Sequence, residues 1–137
     1  MLVATEPRWV SVEAIIAFNK EIVDASSEPH ELRDATTLRT AVAHPWNVWV
    51  YFMDPDLPVL AMRLYTSLVN ARAFAAGNEP TAFRAAEAFL EANGYQLDLG
   101  DNRPRAIERL NEFAAGRLSQ AGVVEWFRMW MTPCKSS

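Results

Sequence analysis

The sequence predicts an all-α fold of about six helices with one short extended segment. Three observations carry this. Apolar residues recur at three- and four-residue intervals along most of the chain, Ser and Asp stand where helices would be capped, and Pro or Gly punctuates the ends. Only the run from Trp46 to Phe52, WNVWVYF, departs from the helical period.

Ser11 is placed to cap a first helix with an inward stripe of Ile15, Ile16, Phe18, Ile22 and Val23, ending near Ser26 and Ser27. Ser26 to Glu31 is polar, holds Pro29 and reads as a loop. Asp34 caps a second helix through Leu38, Ala41 and Val42, which Pro45 is expected to stop. The run Trp46 to Phe52 is β-branched and aromatic, lies between Pro45 and Pro55, and reads as a strand. Asp56 and Pro58 open a long helix with Leu60, Leu64, Leu68 and Ala71 on one stripe. A turn at Gly77 to Pro80 leads into a helix that buries Ala82, Phe83, Ala86, Phe89 and Leu90 and stops near Gly94. Pro104 opens the next helix, with Ile107, Leu110, Phe113 and Ala114 inside and a close near Gly116. Ser119 caps a last one carrying Val123, Phe127 and Trp130.

A chain of 137 residues makes one domain, 1–137, with 1–10 and 132–137 as loose tails. Half of the residues are hydrophobic, enough to build a core and to exclude disorder. A single cysteine, Cys134, has no partner for an internal disulfide, which points to a reducing, cytoplasmic setting. No apolar run reaches the ~18 residues of a membrane span, and Met1 to Arg8 lacks the pattern of a signal peptide. The net charge is −4, and Arg103, Arg105, Arg109 and Arg117 form only a loose cluster. Nucleic-acid binding is therefore not expected.

Common catalytic constellations are missing from the sequence. His30 and His44 stand apart, and His44, before Pro45, reads as a cation near helix-end carbonyls. Cys134 has no histidine at helical spacing, and no Cys/His set has metal-site spacing. Trp126 and Trp130, four apart, suit a core face. Trp46 and Trp49, three apart in an extended run, would point to opposite faces and leave one exposed. The informative feature is the turn at Gly77-Asn78. A helix beginning there offers free N–H groups and a positive dipole end to an anion, although such turns are often purely structural.

Asn70 to Phe83 (NARAFAAGNEPTAF), followed by Phe89-Leu90-Glu91-Ala92-Asn93-Gly94, resembles the signature of the Fic/Doc family. In that family a helix leads into His-x-Phe-x-Asp/Glu-Gly-Asn-Lys-Arg-Thr-Ala and the next ends in Phe-Leu-x-x-Asn-Gly. Leu32-Arg33-Asp34 upstream and Phe113 to Ser119 downstream extend the likeness to roughly residues 11 to 130. The resemblance implies a Fic/Doc-type bundle with a short β-like flap. It also implies a transferase that uses a His base, an acid holding Mg²⁺ on ATP phosphates, a Gly-Asn cradle and an Arg clamp. Phe74, Gly77, Asn78 and Thr81 match, but Arg72 stands in the His slot, Ala76 in the acid slot, Glu79 in the Lys slot and Pro80 in the Arg slot.

Each change bears on the chemistry. Arginine stays protonated and is no base, and alanine offers no oxygen to Mg²⁺. Glu79 sets negative charge beside the phosphates, and Pro80 removes both the guanidinium fork and an N–H. The expectation is a catalytically degenerate protein of a toxin–antitoxin or phage-derived system, without ATP or Mg²⁺, that acts by binding a protein, such as an antitoxin or a former target. The flap, Trp46, Asn47, Val48, Trp49, Val50 and Tyr51, would receive that partner by strand addition. Two alternatives stand beside this: an active AMP- or phosphoryl-transferring enzyme with a rearranged site, and a phosphate- or small-ligand-binding module built on Arg72, Gly77, Asn78 and Thr81.

Overall fold

The computed structural model describes residues 6–53 and 56–134. Within them lie α1 (Val12–Ala25), α2 (Ala35–Phe52), α3 (Leu57–Ala71), α4 (Asn78–Ala92), β1 (Tyr95–Leu97), a 3-10 turn (Gly100–Asn102), α5 (Arg103–Ala114), α6 (Gln120–Trp130) and β2 (Met131–Pro133). The all-α bundle expected from the periodicity is what forms, and α3 and α4 run through its centre. Their buried stripes include Leu60, Leu64 and Leu68 on α3 and Ala82, Phe83, Ala86, Phe89 and Leu90 on α4. The predicted caps are in place: Ser11 Oγ accepts from Ala14 N (3.1 Å), Asp34 Oδ1 from Thr37 N (3.0 Å) and Ser119 Oγ from Gly122 N (3.2 Å).

The largest correction concerns Pro45 and the residues after it. Pro45 does not stop α2, and Trp46 to Phe52 form no strand; the helix runs unbroken from Ala35 to Phe52. A proline inside a helix leaves the carbonyl four residues back without its donor. Here that carbonyl, Ala41 O, accepts a hydrogen bond from Ser67 Oγ of α3 at 2.8 Å. Pro45 itself is buried, and Val48 and Trp49 pack against the core, so tertiary contact overrides the strand preference of the β-branched and aromatic residues. His44 is corrected with it. The ring lies within α2, not at its end, and burial together with the Arg63 charge lowers its pKa.

Extended pairing occurs elsewhere. β1 and β2 pair antiparallel, with Gln96 opposite Thr132, and an isolated bridge joins Leu32 to Phe74. Of the segments expected as loose tails, 1–5 and 135–137 lie outside the described residues, and the described parts contact the rest of the fold. Trp9 stacks on Phe89 with ring centroids 5.7 Å apart, and its neighbour Arg8 exchanges hydrogen bonds with the Asn93 side chain at 2.8 and 2.9 Å. At the other end β2 completes the small sheet, and Cys134 N donates to Gly94 O (2.9 Å).

Candidate functional site

The turn between α3 and α4 is held from two sides. From the α1–α2 loop, Ala73 O accepts from Arg33 N (2.7 Å) and Asp34 N (3.3 Å), and Glu31 O accepts from Ala75 N (2.9 Å). These bonds flank the bridge of Leu32 to Phe74 and bury the Phe74 ring. From α1 comes Asn19, fully buried, whose Nδ2 donates to Ala76 O (2.9 Å) and to Thr81 Oγ1 (3.1 Å). Because Ala76 O can only accept, the amide orientation follows: Asn19 Oδ1 faces His30 Nδ1 at 3.0 Å, and Nδ1 carries the proton.

Gly77 takes φ +73°, a left-handed conformation, and a Cβ there would lie 2.9 Å from Val23 Cγ1. Glycine is required at this position both by the backbone and by the approach of α1. Asn78 closes the turn on itself: its Oδ1 accepts from Phe74 N (3.1 Å) and its Nδ2 donates to Phe74 O (2.8 Å). Thr81 is buried in the Asn19 network, and its N–H makes a first helical bond to Gly77 O (3.0 Å). Thus the side chains of Asn78 and Thr81 are engaged within the fold.

Arg72 differs from them. It ends α3 in a left-handed conformation (φ 47°), is exposed, and lines an open cavity of about 380 Å³. Ala76, Gly77, Asn78 and Pro80 lie on the same cavity, together with two carboxylates, Glu28 and Glu79. Glu79 Oε2 accepts from Asn111 Nδ2 of α5 (3.3 Å), and Asn111 Oδ1 accepts from the buried Tyr65 hydroxyl. Burial, and then the Glu79 charge, push the Tyr65 hydroxyl far above its usual range. The position that the resemblance assigns to a metal-binding acid is alanine, the Asn78 amide is engaged with Phe74, and the cavity lining holds two carboxylates and one guanidinium. Among the described residues, no group of three or more His, Cys, Asp and Glu is placed to hold a metal ion, and no helix is long and apolar enough to cross a membrane.

The structure therefore gathers Arg72, Ala76, Gly77, Asn78, Pro80 and Thr81 at one turn, as their spacing implied. It does not bring the Trp46 to Tyr51 run into an edge strand: Trp46, Asn47, Val50 and Tyr51 are exposed on α2, and Val48 and Trp49 turn partly inward. Trp49 meets the Trp9 ring edge-on, with centroids 6.2 Å apart. Reading the sequence missed Asn19, His30 and Glu28. The signal for Asn19 was available, since it stands midway between Ile15 and Val23 on the buried stripe of α1 and needed a polar partner.

Comparison with known proteins bears on the same region. The family model described as Fic/DOC family matches residues 9–90, which hold α1 to α3 and the motif turn. The chain is 40% identical over 86 residues to Toxin Doc of Mycolicibacterium smegmatis, an alignment covering 61% of this chain and 65% of that protein. The chain thus spans just under two thirds of that relative's length.

Proposed function

The chain belongs to the Fic/DOC family, and we propose that it is a toxin–antitoxin-related member that binds a protein partner and does not transfer a nucleotidyl or phosphoryl group. One observation carries the reading: the cavity at the motif turn sets Glu28 and Glu79 against Arg72 alone. A triphosphate entering there meets a net negative lining, and two like charges at close range repel by several kcal/mol when partly desolvated (about 4 kcal/mol at 4 Å and an effective dielectric of 20). The base slot holds Arg72, and a guanidinium offers hydrogen-bond donors only. The relative's name, Toxin Doc, supports a toxin–antitoxin setting and an antitoxin as the kind of partner. The same reading uses neither ATP nor Mg²⁺ and sets the protein in the cytoplasm, away from nucleic acid and membrane.

The experiment is label transfer from ATP to proteins of a bacterial lysate, run with α- and γ-labelled nucleotide and Mg²⁺ beside an active Fic-type enzyme. No labelled band is expected, together with a stoichiometric partner in pull-downs from cells that carry the neighbouring genes. A band with the α-label would mean nucleotidyl transfer, and one with the γ-label alone phosphoryl transfer; either would replace this reading by that of a rearranged enzyme. A rise in melting temperature with inorganic phosphate that disappears in Arg72→Ala would instead favour a ligand-binding module.

A further inference from the structure

Arg63 is the one charged residue of α3, and it sits partly buried. Among the described residues its hydrogen bonding is limited to one contact, from Nη2 to the amide oxygen of Gln120 at 2.7 Å. Its Nε–H is buried without a partner. So is the hydroxyl of Thr66, three residues further on and therefore on the same face of α3.

Two more positive groups face this guanidinium. α2 and α3 are antiparallel neighbours joined by a short link, and the bond from Ser67 Oγ to Ala41 O sets their register. One turn on from that bond, His44 comes opposite Arg63. Burial first, and then the Arg63 charge, hold the imidazole below its ordinary pKa. Gln120 opens α6, so the guanidinium also stands at the positive end of that helix, where a cation is disfavoured. The surrounding carboxylates do not compensate. Residues 35–52 and 57–71 contain none, and Asp56 and Glu125 are both paired with Arg128.

We propose that the corner between α2, α3 and α6 binds a small oxyanion, phosphate or sulfate, on Arg63, Thr66 and the first turn of α6. A partly buried cation without a counter-charge is costly, and an anion removes that cost. The anion takes the place of the Gln120 oxygen on the guanidinium. That exchange is favourable, because a charge-assisted hydrogen bond is about twice as strong as one to a neutral amide. Gln120 is itself partly exposed, so its side chain has room to swing toward solvent. Behind it the anion meets the two donors that lack partners, Arg63 Nε–H and the Thr66 hydroxyl. A tetrahedral oxyanion suits the corner, since its oxygens point in several directions and the donors come from more than one element. The site is distinct from the motif turn: Arg72 lies nine residues along α3, about 13 Å by helix rise.

The test is melting temperature against inorganic phosphate at neutral pH, with sodium chloride adjusted to hold ionic strength constant. A saturable rise of about 3–6 °C is expected by ten times the Kd. Sulfate is expected to reproduce it, and chloride is not. Two variants locate the response. Gln120→Glu sets a carboxylate of the chain itself beside Arg63 and is expected to abolish the phosphate effect. An acid in the first turn of a helix is favourable, so this variant keeps its fold. Arg72→Ala is expected to leave the effect intact. In the unaltered protein, the NMR resonances of Arg63 Nε–H and the Ala121 amide are expected to shift with the same Kd. No saturable response overturns the proposal, and so does an equal response to chloride. A response that Gln120→Glu retains also overturns it. So does one that Arg72→Ala removes, which would place the anion at the motif turn.

Discussion

At the scale of single residues, the motif turn is a packing device before it is anything chemical. Gly77 is required because α1 presses on it: Val23 Cγ1 would lie 2.9 Å and Asn19 Nδ2 3.4 Å from any Cβ, and the backbone sits at φ +73°. Gly77→Ala is expected to cost about 1–3 kcal/mol, combining the left-handed penalty with displacement of Val23. Urea denaturation measures this, and a loss within the ±0.5 kcal/mol of an ordinary surface substitution would contradict the account. Asn78 makes the same point from another side. Both groups of its amide close on Phe74, so its presence follows from the geometry of the turn whether or not a ligand binds. The match of Gly77, Asn78 and Thr81 to the family signature is thus evidence of fold, whereas the four replaced positions bear on function.

At the scale of elements, α2 depends on a neighbour. Pro45 deprives Ala41 O of its helical donor, and Ser67 Oγ, one helix away, supplies another at 2.8 Å. Ser67→Ala is expected to cost about 1–3 kcal/mol by leaving that partly buried carbonyl unpaired. In a Pro45→Ala background, where the backbone N–H is restored, the same change should cost measurably less. A thermodynamic cycle of the four proteins checks this, and strict additivity would mean that Ser67 does not compensate for the proline. Had it ended at Pro45, Trp46 to Phe52 would form a loop; as a helix they set Val48 and Trp49 against the core and leave Trp46, Val50 and Tyr51 exposed.

At the scale of the whole molecule, stability should respond to acid through His44. Its pKa is lowered from 6.5 by burial and by the Arg63 charge. Arg63 donates to the Gln120 amide oxygen (2.7 Å), and no ion pair with a carboxylate relieves the pair of cations among the described residues. The unfolded chain, with the ordinary value, binds the proton more tightly than the folded one. Stability therefore rises with pH through this range, and His44's contribution is lost as pH falls from 6.5 toward the lower folded value. Melting temperature is expected to drop between neutral and mildly acidic pH, and His44→Gln should flatten that drop. An unchanged slope in the variant would assign the effect to other groups. Among the described residues, Trp9 stacks on Phe89 and β2 pairs with β1, so both flanking segments contact the core elements.

What the sequence by itself determined is whatever depends on neighbours in the chain. The helical period set the buried stripes of α3 and α4, short-range caps at Ser11, Asp34 and Ser119 placed three helix starts, and the Gly77-Asn78 spacing located the turn. Only the tertiary structure decided matters that hinge on contacts between distant residues. Whether Pro45 ends a helix depended on Ser67, 22 positions away, and whether WNVWVYF is strand or helix depended on the core it packs against. The same holds for Asn19 reaching Ala76 and Thr81, for Glu28 joining the cavity, and for two three-residue strands pairing across α5 and α6. Local preferences are worth tenths of a kcal/mol to about 1 kcal/mol per residue, and about 3 kcal/mol for a proline inside a helix. A buried hydrogen bond left unmade costs about 1–3 kcal/mol, enough to outweigh the first and to offset much of the second, and so the distant partner decides.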